Sequence, residues 1–303
     1  MTATPASPAQ LSLSPRAWGA LALLSLIWGG SFLSIHVALR EIPPLTLVAW
    51  RCALAALLLL GWLRLRGLTL PGGRGAWVAF AGMGLLNNVL PFTLITWGQQ
   101  HIESGLAAIL NAATAIVGVL VAAVFFSDER LTWRRAAGVL LGFGGVVIAI
   151  GADTLRQLDP RALGQLAVLG ATVSYAFAGV WARRYLRGLR AEVAATGMLT
   201  AAAAMIVPMA LVVDGAPTLR LAPATWAALA YYAVMATVVA YLLYYRVLAT
   251  AGSGNTMLTT LLVAPVAIVL GAVVLGEALP PHALAGFAVL AAGLVILSRA
   301  PKR

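Results

Sequence analysis

The chain has 303 residues, of which 62% are hydrophobic and only 10% charged, and its mean hydropathy is +0.96. Soluble globular chains are roughly 45–50% apolar and about 25% charged, so the excess apolar surface must face lipid, and a soluble enzyme is excluded first. The formal charge of +11 does not read as a nucleic-acid footprint either. Apart from Lys302 every cation is an arginine, and the arginines fall in small clusters between long apolar runs, as membrane topology signals do. No soluble basic domain is present to carry a nucleic-acid reading. The single cysteine, Cys52, lies inside an apolar run, which excludes an intrachain disulfide and a cysteine-based metal site. No cofactor and no metal are expected.

A bilayer core of about 30 Å takes roughly 20 helical residues to cross. Apolar stretches of that kind follow one another along the chain at 17–38, 44–63, 76–99, 104–126, 135–151, 162–182, 191–213, 224–248, 255–275 and 282–299. Turns such as Glu41-Ile42-Pro43-Pro44, Leu70-Pro71-Gly72-Gly73 and Leu279-Pro280-Pro281 separate them, because Pro and Gly interrupt helices. The expected architecture is an all-α integral membrane protein of ten transmembrane helices. The first apolar run exceeds the roughly 7–15 residues of a signal-peptide core, so it is read as a retained span.

Cytoplasmic loops carry an excess of Lys and Arg. With the N-terminus inside, fifteen of the twenty cations fall on the inner side and five (Arg40, Arg51, Arg156, Arg161, Arg220) on the outer side. Both termini are therefore expected in the cytoplasm of a cell with a bacterial-type inner membrane.

The chain also repeats. Glu129, Leu131, Gly138, Gly145, Val147 and Ile148 recur at one offset as Glu277, Leu279, Gly286, Gly293, Val295 and Ile296, and Ser104-Gly105 falls within one residue of matching Ser253-Gly254. Five spans per half is an odd number, so the halves are expected to be inverted relative to each other, an arrangement that places a binding site near the midplane between them.

These features resemble the drug/metabolite transporter superfamily, in its ten-span form with two EamA-type repeats. The matching residues are Ile27-Trp28-Gly29-Gly30-Ser31-Phe32, the Ser-Gly openings of the fourth and ninth spans, Pro265, and the Gly-Glu-x-Leu of 276–279. The first half departs from the pattern, with Thr114 or Ala115 where a mid-span proline is expected. The resemblance implies a cytoplasmic tail at 1–16, a first repeat at 17–151, a second at 162–299 and a tail at 300–303. It also implies export of small metabolites, aromatic amino acids among them.

Polar groups inside a bilayer are costly and tend to face a cavity. In the fourth span Asn111 and Thr114 lie on a stripe of small residues. The ninth span carries Asn255, Thr256, Thr259 and Thr260 ahead of Pro265, and the third carries Asn87 and Asn88, then Thr93 and Trp97. Trp18, Trp77, Trp133 and Trp226 sit at span ends, as interfacial anchors do. Trp28 and Tyr175 are deeper, at nearly equivalent places in the two repeats. With Ser174, Tyr241 and Tyr244 they complete the expected substrate-binding set of Trp28, Asn87, Asn88, Thr93, Trp97, Asn111, Thr114, Ser174, Tyr175, Tyr241, Tyr244, Thr259 and Pro265. Rings with amide and hydroxyl groups suit a small zwitterion or an aromatic side chain.

All nine acids fall at span ends or in loops, and Arg51 and Arg246 are read as near span ends, so the centre is expected to be uncharged. His36 is then the span-buried titratable group, a packing residue or a proton-sensitive one. The expected function is export of neutral or aromatic amino acids by alternating access, with the lipid bilayer and a small-molecule substrate as partners and no nucleic acid. The alternative is a proton-coupled antiporter of organic cations. An intramembrane enzyme lacks a paired nucleophile and base in the sequence. Glycines 138, 142, 145, 286 and 293 read as helix-packing faces, and monomer and homodimer both remain open.

Overall fold

The computed structural model describes residues 15–126, 132–150, 160–244 and 258–298, and all described regular structure is helical. The helices are α1 (Pro15–Ala38), α2 (Pro44–Leu65), α3 (Arg74–Gly98), α4 (Ser104–Phe125), α5 (Trp133–Ile150), α6 (Pro160–Tyr185), α7 (Ala191–Val213) and α8 (Pro223–Tyr244), then α9 (Leu258–Leu270, continued by Gly271–Leu275) and α10 (Pro281–Ser298). Each expected apolar stretch coincides with one of them to within a few residues. Seven, namely α1 to α4 and α6 to α8, are long and apolar enough to cross a membrane; the described apolar runs of α5, α9 and α10 are shorter. Prolines at the first positions of α2, α8 and α10 start these helices without losing a hydrogen bond, since an N-terminal N–H has no intrahelical partner.

The outer surface is apolar. Leu57, Val124, Val212 and Val273 are each well over half exposed, an arrangement that water would oppose and lipid accepts. Trp18, Trp77, Trp133 and Trp226 are exposed near helix ends, where interfacial rings belong.

Helices pair in a regular way. α2 packs on α7 and α5 on α10. Both pairs are antiparallel: Thr46 at the start of α2 meets Asp214 just beyond α7, and the glycines of α5 and α10 meet in reverse order. α1 lies against α8 and α9, and α6 lies against α3 and α4. α3 contacts α7, and α8 contacts α2. Close approach requires glycine in the α5–α10 seam. A Cβ on Gly145 would overlap the backbone of Leu290, and one on Gly293 would meet the backbone of Gly142 and Gly138. The glycine faces seen in the sequence are therefore consumed inside the chain.

Two helices widen where the interior turns polar. α3 takes a π-helical turn over Leu85–Val89, immediately before Pro91. In a π turn the Leu86 carbonyl would accept from residue 91, which as proline has no N–H. The Ser174 hydroxyl supplies the missing donor at 2.7 Å. α8 widens over Tyr231–Val239 without a proline; there the Thr237 hydroxyl donates to the Tyr232 carbonyl five residues back, at 2.8 Å.

Candidate functional site

The widened turns of α3 and α8 face α2, and between them lies a polar knot built around Arg51. This residue is 1% exposed and sits about a third of the way along α2, with apolar neighbours on both sides in sequence. Its Nη1 donates to the Asn88 side-chain oxygen at 3.1 Å. The guanidinium carbon lies 3.5 Å from the centroid of the Phe92 ring and 5.3 Å from that of Tyr232. Tyr241 donates to the same Asn88 oxygen at 3.4 Å, and Asn87 donates to the Tyr241 hydroxyl at 3.1 Å. Phe92 makes edge contacts with Tyr175 and Tyr232, both at 6.1 Å between centroids.

Arg51 corrects an expectation. The sequence placed it near a span end on the outer side and the centre was expected to be uncharged, whereas a cation lies fully buried among the expected site residues. A charge read as a boundary marker is in this helix an interior group, stabilised by an aromatic face and an amide.

The expected site residues divide into those brought together and those not. Asn87, Asn88, Tyr175 and Tyr241 belong to the knot. Ser174 is used structurally, closing the Leu86 carbonyl. Trp28 and Tyr244 meet in a tilted ring contact, 5.7 Å between centroids, and the Trp28 indole N–H donates to the Ala236 carbonyl at 3.2 Å, one turn from Tyr232. Trp28 thus meets α8 as Tyr175 meets α3. The Thr93 hydroxyl is buried without a protein partner.

Asn111 and Thr114 flank an interruption of α4 at residues 112–113. Here the Thr114 hydroxyl takes up the Asn111 carbonyl at 2.7 Å. The Asn111 side-chain oxygen and the Thr259 hydroxyl are buried without protein partners. Two expected residues point elsewhere. Trp97 is on the exposed side of α3, packed edge-on against His101 at 4.7 Å, and Pro265 is exposed on α9. The Thr260 side chain, Tyr245, Arg246, Ser253-Gly254, Asn255, Thr256 and the Glu129 segment lie outside the described residues.

A second polar group was not anticipated. Glu277, read as a loop acid, folds under the N-terminus of α4 and accepts from Ser104 N–H at 2.9 Å, Ser104 Oγ at 2.8 Å and Gly105 N–H at 3.2 Å. A carboxylate at a helix N-terminus meets unpaired N–H groups and a favourable dipole. His36 lies beside it, Nδ1 to carboxylate 3.8 Å. The Ser-Gly opening of α4 and the Gly-Glu-x-Leu stretch are thus two halves of one cap. A cleft of about 190 Å³ at the α1–α2 turn is lined by Glu41, Thr46, Trp50 and Asp214, and by none of the expected residues.

Against known proteins, the model of the EamA-like transporter family matches residues 17–151 and 162–299. A relative from Streptantibioticus cattleyicolor, named "Probable terminal-alkyne amino-acid exporter", is 28% identical over 295 residues, 95% of each chain. One from Escherichia coli, named "Probable amino-acid metabolite efflux pump", is 28% identical over 289 residues, covering 92% of this chain and 93% of its own. A solved crystal structure shares the fold with a TM-score of 0.67 at 23% identity, covering 94% of this chain and 98% of that chain.

Proposed function

Since the chain belongs to the EamA-like transporter family, and is thus a multi-pass membrane transporter and not an enzyme, we propose that it exports neutral or aromatic amino acids. The observation that carries this reading is the convergence of Asn87, Asn88 and Tyr241 with the rings of Phe92, Tyr175, Trp28 and Tyr244 between α1, α2, α3, α6 and α8. Rings provide a wall for an apolar side chain, and amides and hydroxyls fix its polar end. The names of the two relatives support amino acids as the substrate class.

The two halves, 17–151 and 162–299, work as inverted five-helix repeats that rock around this centre in alternating access. The antiparallel α2–α7 and α5–α10 pairs support that arrangement, because each joins a helix to its counterpart in the other half. So does the exchange of α1 on α8 and α9 for α6 on α3 and α4. All-helical apolar segments suit a bacterial-type inner membrane, and the excess of arginine on one side supports a cytoplasmic location for both termini, with tails at 1–16 and 300–303.

A second reading, proton-coupled antiport of organic cations, is favoured by the neighbouring His36 and Glu277. Purified protein in liposomes, offered labelled neutral, aromatic and cationic amino acids with and without a pH gradient, separates the two. Gradient-independent uptake of neutral or aromatic amino acids is expected. Movement of organic cations that requires the gradient, with no amino-acid flux, would replace export of amino acids by antiport.

A further inference from the structure

Arg51 is a buried cation with no carboxylate partner among the described residues. The five acids among the described residues are all engaged elsewhere. Glu41 accepts from Ala222 N–H, Glu103 pairs with Arg161, Glu192 with Arg190, Asp214 with Thr46, and Glu277 with the start of α4. An aromatic face, one amide oxygen and the Cys52 sulfur at 4.0 Å offset only part of what it costs to take a guanidinium out of water. Around Arg51 the groups left without protein partners are its own Nε, the Asn88 side-chain nitrogen and the Tyr232 hydroxyl. The first two can only donate, and the third can donate. Three unused donors beside one positive charge that no described acid compensates define the complement: a singly charged group that only accepts.

We propose that Arg51, with Asn88 and Tyr232, is the binding point for the carboxylate of a small monocarboxylate substrate. The inference rests on the transporter reading and deepens it by naming the charged end of the cargo. A planar guanidinium matches a carboxylate in a two-bond fork, and a single arginine balances one negative charge, not the two of a phosphate monoester. Phe92, which covers one face of the guanidinium, and Tyr175, edge-on to Phe92, are the rings nearest that point.

The test uses full-length purified protein in detergent and two probes that share a ring but differ in charge, 3-phenylpropionate and 2-phenylethylamine. The acid is expected to raise the thermal unfolding midpoint saturably, and the amine to leave it unchanged. Arg51→Lys keeps the charge and loses the planar fork, so the apparent affinity for the acid is expected to fall at least tenfold. Asn88→Asp places a carboxylate on the guanidinium from within. It is expected to raise the midpoint without ligand and to abolish the response to the acid, a combination that a merely structural arginine would not produce.

Equal effects of acid and amine, no effect of either, or a wild-type response in Asn88→Asp would overturn the proposal. Transport keeps the two levels apart. If labelled amino acids do not cross the liposome membrane while 3-phenylpropionate still stabilises through Arg51, amino-acid export fails and the carboxylate site stands. If L-phenylalanine and L-phenylalaninamide cross equally well, in wild type and in Asn88→Asp alike, export stands and the carboxylate site fails.

Discussion

Arg51 lays its guanidinium against the face of Phe92, with 3.5 Å between the central carbon and the ring centroid. The contact ties α2 to the stretch of α3 just beyond its π turn, and a desolvated cation over a ring is worth up to about 2 kcal/mol. Phe92→Leu keeps most of the volume and removes the ring quadrupole, so a loss of about 1–2 kcal/mol of stability is expected. A double-mutant cycle with Arg51→Met, read from unfolding of purified protein, should return a coupling of about the same size. Additive effects would show that the stacking contributes nothing.

Inside the wide turn of α8 the Thr237 hydroxyl adds a bond to the Tyr232 carbonyl at 2.8 Å. Thr237→Val preserves shape and removes that bond. The expected cost is about 0.5–1.5 kcal/mol for one hydrogen bond. Hydrogen exchange should rise locally across Tyr231–Val239, and unchanged exchange there would mean that the turn is held by packing alone.

The α5–α10 seam tests how tightly the two helices must meet. Gly145→Ala forces a methyl into the backbone of Leu290, while at Gly144, one residue away, a Cβ meets open space. Gly145→Ala is expected to destabilise by about 1–3 kcal/mol through overpacking. Gly144→Ala should be neutral or stabilising by up to about 1 kcal/mol through helix propensity. Equal effects of the two substitutions in thermal unfolding would contradict the close approach.

Glu41 sits outside the spans, in the turn between α1 and α2. A side-chain hydrogen bond with Thr225 and the donated Ala222 N–H at 2.9 Å hold its carboxyl below the usual glutamate range. A carboxyl lowered in the folded state stabilises above its unfolded value and loses that contribution as pH falls through the lowered one. The gap in unfolding midpoint between wild type and Glu41→Gln should therefore be widest near neutral pH and close on acidification. A gap constant with pH would place the effect in packing instead.

Much of this was legible in the sequence because it is local. Apolar runs of bilayer length bounded by Pro and Gly locate the helices, and glycines at three- and four-residue spacing mark the α5–α10 seam. Asn87 and Asn88 could be singled out because adjacent amides are costly in lipid. Trp97 was singled out by its place in the same span as Asn87 and Asn88, and a place in a span does not report which side of the helix a ring takes. The π turn itself had a signal in Pro91, whose missing N–H frees a carbonyl. Arg51 was misplaced because arginine usually marks a membrane boundary; its uninterrupted apolar flanks, from Val48 to Leu60, were the contrary sign. Glu277 joins residues far apart in the chain, and neither periodicity nor composition reports such a contact.

Export itself is tested most directly by counterflow. Liposomes holding purified protein and preloaded with unlabelled L-phenylalanine should accumulate labelled L-phenylalanine from outside. Trp28→Ala, which removes the Tyr244 contact and the bond to Ala236, and Asn87→Leu, which removes the bond to Tyr241, should each slow accumulation at least tenfold while keeping wild-type helicity. Accumulation no greater than in empty liposomes would contradict amino-acid export, and wild-type rates in both variants would contradict the site.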